Sequence, residues 1–188
     1  MNGYVINLNI EYDLNWFSNF VKLNSHNFIR SDYSAYLFSV YRPEGKSPIK
    51  WTDDNIEKYK GIFEVCNNLK KIGINLENNL CYFGKMLPGD YIAEHIDPNR
   101  EGNFILPIKG QCEIQYRNDY DLKKYKGYGG SITLDNPNKN LPVKIQYKGP
   151  SIINAKIPHA VVNNSNEERI VFYWSIKKKF NELIRNKT

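Results

Sequence analysis

Histidine is scarce in this chain: His26, His95 and His159 are its three copies in 188 residues. Cysteine is equally sparse. Cys66, Cys81 and Cys112 form no Cys-x-x-Cys pair and leave one residue over under any disulfide scheme. That argues against a disulfide framework and for a reducing compartment. No apolar run approaches the roughly 18 residues that would span a bilayer. The opening Met1-Asn2-Gly3-Tyr4 has neither the charged nor the apolar region of a signal peptide. The expectation is a soluble, cytoplasmic protein without membrane contact. Repeats, low-complexity tracts and long linkers are absent too, so residues 1–188 are expected to form one domain. Asn163-Asn164-Ser165 spells a glycosylation sequon, but without a secretion signal it reads as a polar turn.

A hydrophobic content of 41%, with 14% aromatics, is enough for a buried core. The charge is +6, from 26 basic and 20 acidic residues. The basic residues are scattered, and their densest run, Lys177-Lys178-Lys179, reads as solvated chain. A nucleic-acid partner is therefore disfavoured, because phosphate-tracking surfaces cluster their charge.

Residues 1–50 alternate aromatic-rich runs such as Ala35–Tyr41 with polar turns, which suggests strands or extended support. Over 53–72 the period changes. Ile56, Tyr59, Ile62, Phe63, Cys66 and Leu69 recur at helical spacing, with Thr52, Asp53 and Asp54 as candidate caps and Gly73 as a stop. From Leu80 onward the chain reads as short strands: 80–86, 91–97, 104–108, 112–117, 130–134, 143–147, 151–155, 160–162 and 169–176. Turn residues such as Pro88-Gly89-Asp90 and Pro98-Asn99 punctuate them. A last short helix is expected over 178–186. Many short strands at regular spacing predict a mainly β fold, a sandwich or barrel with the helix packed outside.

His95-Ile96-Asp97 closes one of these strands. Residues i and i+2 of a strand share a face, so His95 and Asp97 can reach one metal ion together. His159, after Pro158, opens a strand more than sixty residues later. Two imidazoles and a carboxylate on one side of an ion leave positions open, an arrangement suited to non-haem Fe(II). Arg169 begins the final strand, sharing one face with Val171, Tyr173 and Ser175, while Ile170, Phe172, Trp174 and Ile176 share the other. Its planar fork matches a carboxylate. His26 has no partner pattern and reads as structural or surface.

The run Gly89-Asp90-Tyr91-Ile92-Ala93-Glu94-His95-Ile96-Asp97, then Pro158-His159-Ala160-Val161-Val162-Asn163 and Arg169, resembles the Fe(II)- and 2-oxoglutarate-dependent oxygenase superfamily. The resemblance covers roughly residues 80–176, the expected core, and residues 1–79 are expected to be N-terminal support. It implies a double-stranded β-helix, or distorted jelly roll, with a supporting helix outside. It also implies that His95, Asp97 and His159 bind Fe(II) and that Arg169 binds the far carboxylate of 2-oxoglutarate, with O2 taking the last position. The three ligands would not be acid–base groups, and no catalytic residue is expected beyond the metal centre. Tyr82 and Ser175 are candidate further contacts to 2-oxoglutarate, each with packing as an alternative. Asn103 and Asn154 could orient co-substrate or substrate, or serve turns and strand ends.

Departures narrow the branch. Isopenicillin-synthase-related members carry serine two residues after the arginine, where this chain has Val171. Nucleic-acid repair demethylases carry a second arginine six residues on, where it has Ser175. Collagen-type prolyl hydroxylases use lysine in place of Arg169. Aspartyl/asparaginyl β-hydroxylases share the His159, Val161, Asn163 grammar but lack a counterpart of Asp97. The expected activity is hydroxylation of an amino-acid side chain in a protein or peptide, prolyl or asparaginyl/aspartyl hydroxylase-like, coupled to conversion of 2-oxoglutarate to succinate and CO2. The alternatives are hydroxylation of a free amino acid or other small metabolite, and a cupin-like metal protein without redox chemistry.

Overall fold

The computed structural model describes residues 3–30, 36–41, 57–75, 80–110, 113–128 and 131–185. The thirteen strands among them are β1 (Val5–Asn7), β2 (Ile29–Arg30), β3 (Tyr36–Tyr41), β4 (Cys81–Met86), β5 (Tyr91–Ile96), β6 (Gly102–Lys109), β7 (Glu113–Tyr116), β8 (Lys126–Tyr128), β9 (Ser131–Thr133), β10 (Val143–Gln146), β11 (Ser151–Asn154), β12 (His159–Val162) and β13 (Arg169–Ile176). The helices are α1 (Leu14–Leu23), α2 (Lys60–Lys71) and α3 (Phe180–Arg185).

Alternation along the strands separates two cores. On β13, Ile170, Phe172, Trp174 and Ile176 join one apolar cluster with Phe17, Phe20 and Val21 of α1 and Ile62, Val65 and Leu69 of α2. Val171 and Tyr173, on the opposite face, join a second cluster with Met86, Ile105, Ile114, Tyr116, Tyr147 and Val161. Every residue of β13 is buried, as expected for a strand covered on both sides. Antiparallel pairing places β13 between β6 and β4 in a seven-stranded sheet of order β1-β11-β6-β13-β4-β3-β2. The second sheet has six strands in the order β10-β7-β12-β5-β9-β8. The second cluster draws on both sheets and fills the space between them, whereas the helices cover the outer face of the first sheet. This is the expected double-stranded β-helix with helical support outside.

Three details depart from the sequence reading. First, residues 14–23 are helical rather than extended. Asp13 caps α1, its Oδ1 accepting from the Trp16 amide at 2.9 Å, and Phe17, Phe20 and Val21 are buried at helical spacing. Second, α2 begins at Lys60, after a turn over 57–59, and not at residue 53. The candidate caps Thr52, Asp53 and Asp54, together with Ile56, lie outside the described residues. Third, β1, β2 and β8 are short strands that the pattern did not single out.

The C-terminal limit of α2 agrees with the reading, since Gly73 takes φ +81° just beyond Ile72. Near its start, Gly61 lies so close to the Trp16 ring that a Cβ there would sit 2.2 Å from one ring carbon, so the glycine sets the approach of α1 to α2. Cys66 and Cys81 are buried; Ala35, Cys112 and Gly130 lie outside the described residues. Lys177, Lys178 and Lys179 are exposed. Among the described residues, no helix is long and apolar enough to cross a membrane.

Candidate metal centre

His95 is the penultimate residue of β5 and His159 opens β12, and the two are direct partners in the antiparallel β5–β12 pair. The pairing is irregular: two steps along β12, His159 to Val161, match three along β5, from His95 back to Ile92. A bulge of one residue re-aims the side chains on one strand relative to the other. Here it allows Ile92 and His95, an odd number apart, both to face the space between the sheets, while Glu94 turns to the far side. Glu94 is fully buried there, accepting from Arg117 at both oxygens and from the Tyr125 hydroxyl at 2.6 Å. The strand carrying His95 is thus fastened from behind.

The two imidazole rings lie 4.3 Å apart at an angle of 50°. Asp97 follows directly after β5, its amide donating to the Ala155 carbonyl at 3.1 Å. Its Oδ1 lies 3.9 Å from His95 Nε2, and its Oδ2 lies 3.9 Å from His159 Nε2. One ligand atom from each of the three residues falls within 4.8 Å of the others.

The outer hydrogen bonds settle which nitrogens face inward. His95 Nδ1 is 2.8 Å from the Ala93 carbonyl, and His159 Nδ1 is 2.9 Å from the Ile157 carbonyl. A carbonyl oxygen only accepts, so each Nδ1 carries a proton and each Nε2 is the nitrogen turned to the centre. Burial, and secondarily the nearby His95, push the His159 pKa down to about 4, against the pull of Asp97. His159 is therefore a neutral donor at neutral pH. Burial raises the Asp97 pKa, but Arg100 first, then the two histidines and Asn103, outweigh it and hold the carboxyl below its ordinary value. Two imidazoles, each with Nδ1 engaged by a carbonyl, and one carboxylate held by Asn103 and Arg100 fit a divalent first-row transition metal.

Arg169 is 1% exposed. Its guanidinium donates to the Tyr147 hydroxyl and contacts Met86 Sδ at 3.1 Å. Tyr147 and Met86 belong to the inter-sheet cluster, as does Tyr116, whose ring centroid is 5.9 Å from that of His159. The pairing of Lys109 with Glu168 at 2.8 Å leaves Arg169 in the interior and not in a surface ion pair with that glutamate.

Tyr82 and Ser175 stand elsewhere. Ser175 lies six residues along β13 from Arg169, about 20 Å of extended backbone. Arg100 Nη1 donates toward both, at 3.4 Å from Tyr82 Oη and 3.4 Å from Ser175 Oγ. The same nitrogen is 3.1 Å from Asn103 Oδ1, and Arg100 Nε is 3.5 Å from Asp97 Oδ2. Tyr82, Ser175 and Asn103 thus gather around Arg100 beside Asp97. Sequence reasoning missed Arg100; its signal was only a basic residue three positions past the aspartate, in an apparent turn.

Other candidates have structural roles. Asn154 donates to the Gly3 carbonyl at 2.8 Å and accepts from the Lys156 amide. Asn163, the sequon residue, is 1% exposed and donates to the carbonyls of Met86 and Glu167. His26 lies in a short 3-10 turn, Ser25–Asn27, beyond α1.

The sequence matches no protein-family model and no curated protein. Solved structures align with it. A prolyl-4-hydroxylase of Pseudomonas putida, 11% identical, aligns over 88% of this chain and 86% of its own, with a TM-score of 0.50. A hazelnut (Corylus avellana) vicilin, 10% identical, aligns over 80% of this chain and 32% of its own, with a TM-score of 0.43; this chain thus spans about a third of the vicilin's length. A cupin domain of Bordetella pertussis, 17% identical, aligns over 52% of this chain and 80% of its own, with a TM-score of 0.34. At 11% identity the likeness to the prolyl-4-hydroxylase is one of fold alone.

Proposed function

We propose that this chain is an Fe(II)- and 2-oxoglutarate-dependent oxygenase that hydroxylates an amino-acid side chain in a protein or peptide. One observation carries the reading. Two imidazole nitrogens and the Asp97 carboxylate converge within 4.8 Å in the space between the sheets that also receives the Arg169 guanidinium. A structural metal site is usually closed by a fourth protein ligand, whereas three donors leave room for small-molecule ligands.

In this reading His95, Asp97 and His159 hold Fe(II), and Arg169 receives the far carboxylate of 2-oxoglutarate. Bound iron, 2-oxoglutarate and O2 supply the oxidising chemistry. One oxygen atom of O2 ends in succinate, formed with loss of CO2, and the other ends as the hydroxyl replacing a substrate hydrogen. The protein's own contribution is orientation and exclusion. The Ala93 and Ile157 carbonyls fix the two imidazole planes. Tyr147 steers the Arg169 fork, and apolar Ile105, Ile114, Val161 and Val171 keep water from the space between the sheets. The Tyr82 hydroxyl, its pKa pushed up to about 12 by burial despite Arg100, stays protonated and stacks on Tyr173 at 5.0 Å.

The test is anaerobic addition of Fe(II) and 2-oxoglutarate, which should produce a weak visible charge-transfer band. A protein that binds Fe(II) but gives no band on adding 2-oxoglutarate would instead fit a cupin-like metal protein without redox chemistry. Succinate formation against panels of peptides, free amino acids and small metabolites then separates a peptide substrate from a metabolite.

A further inference from the structure

The turn after Asp97 is held at each end. Ala155 accepts from the Asp97 amide at 3.1 Å and donates to the Glu101 carbonyl at 3.2 Å, while the Glu101 amide donates to Ile176 at 2.8 Å. Lys156 Nζ ties the Pro98 carbonyl at 2.7 Å. Arg100 therefore projects from a braced turn, and three oxygen acceptors, on Tyr82, Asn103 and Ser175, fix its Nη1. Its Nε faces Asp97 Oδ2 at 3.5 Å, and Asn103 Nδ2 donates to the same oxygen at 3.3 Å. Each carboxylate oxygen faces one imidazole at 3.9 Å, Oδ1 toward His95 and Oδ2 toward His159, but the two are unequal in that Oδ2 is also engaged by Asn103 and Arg100.

We propose that Arg100 is a positioning residue which, with Asn103, occupies Oδ2 of Asp97 and fixes the carboxylate plane, so that Oδ1 is the oxygen offered to the metal. The inference rests on the metal centre of the proposed function. A carboxylate free to chelate through both oxygens would take up a position that the co-substrate or O2 requires. Arg100 acts through Asp97 and does not itself meet the reacting atoms.

Co(II) is the probe, titrated into the metal-free full chain and followed by its visible d–d absorption. Arg100→Gln is expected to weaken Co(II) binding about 10- to 100-fold, the usual effect of losing a residue that orients a ligand. It should also alter the d–d absorption, because Asp97 no longer meets the ion through one fixed oxygen. Arg100→Lys keeps the charge without the fork and should recover only part of both. By charge alone, removing a cation next to the site would tighten binding, so the sign discriminates. Arg100→Gln with unchanged or tighter binding and an unchanged spectrum overturns the proposal. Should Arg100→Gln fail to fold by circular dichroism, Asn103→Ala carries the test, with weaker binding and the same spectral change expected and wild-type behaviour overturning it. Failure of the wild-type chain to bind Co(II) would remove the metal centre itself, a result distinct from wild-type binding that the variants leave untouched.

Discussion

His95 and His159 face each other directly across the β5–β12 pair, 4.3 Å between ring centroids. Their spacing is thus set by a strand ladder, the most rigid support a pair of ligands can have, and not by loop conformation. Asp97 completes the set from the first residue beyond β5.

Removing a donor should end the chemistry. Asp97→Ala and His159→Ala are each expected to abolish succinate formation in the presence of Fe(II) and 2-oxoglutarate. Undiminished turnover in either variant would sink the oxygenase assignment.

Arg169→Gln should act on the co-substrate and leave metal binding in place. Losing one partner of a buried charge pair costs about 2 to 5 kcal/mol, so KM for 2-oxoglutarate should rise on the order of a hundredfold. The Co(II) affinity measured without 2-oxoglutarate should stay within a few-fold of wild type. A KM that does not move would remove Arg169 from the co-substrate site.

How much of this was legible in the sequence differs from residue to residue. The register of two was plain along β13, because Ile170, Phe172, Trp174 and Ile176 face one core and Val171 and Tyr173 the other. His95 and Asp97 could be placed together from their spacing alone. The bulge between Ile92 and His95 could not, since it depends on the pairing of β5 with β12. Arg100 was hidden for a related reason: its partners Tyr82, Asn103 and Ser175 come from three separate strands, β4, β6 and β13. Helix α1 was legible in principle, through the Asp13 cap and the spacing of Phe17, Phe20 and Val21. Its aromatic residues suit strands as well, and only packing against Phe83 and Phe172 decides for the helix.

Glu94→Ala tests the brace behind His95. Glu94 is fully buried, while the side chain of its partner Arg117 keeps 24% exposure. Breaking a fully buried pair costs about 3 to 5 kcal/mol, and the exposure of Arg117 lowers the expectation to about 2 to 3 kcal/mol. Denaturant unfolding of the metal-free protein measures this. A change below about 0.5 kcal/mol, the scale of an ordinary surface substitution, would show that the network contributes little.

Acid should weaken the metal-free protein through His159. Burial holds its folded pKa at about 4, against an ordinary value of 6.5. Between those values the unfolded chain binds a proton that the folded chain refuses, so stability is fully present above about pH 6.5 and falls as the pH drops toward 4. At about 1.4 kcal/mol per pKa unit, the loss attributable to His159 is on the order of 3 kcal/mol. Asp97 acts in the same direction but lower. Its depressed pKa contributes stability that is present above the unfolded value of 3.8 and lost only as the pH falls through the still lower folded value. The upper window therefore isolates the histidine. Denaturant midpoints recorded in chelator from about pH 7 to about pH 4 should decline for wild type. The decline should be smaller by that amount in His159→Phe, which cannot take up a proton. Equal slopes in the two proteins would mean that His159 is not held neutral by its burial, and with that the argument for a preformed Nε2 donor would fail.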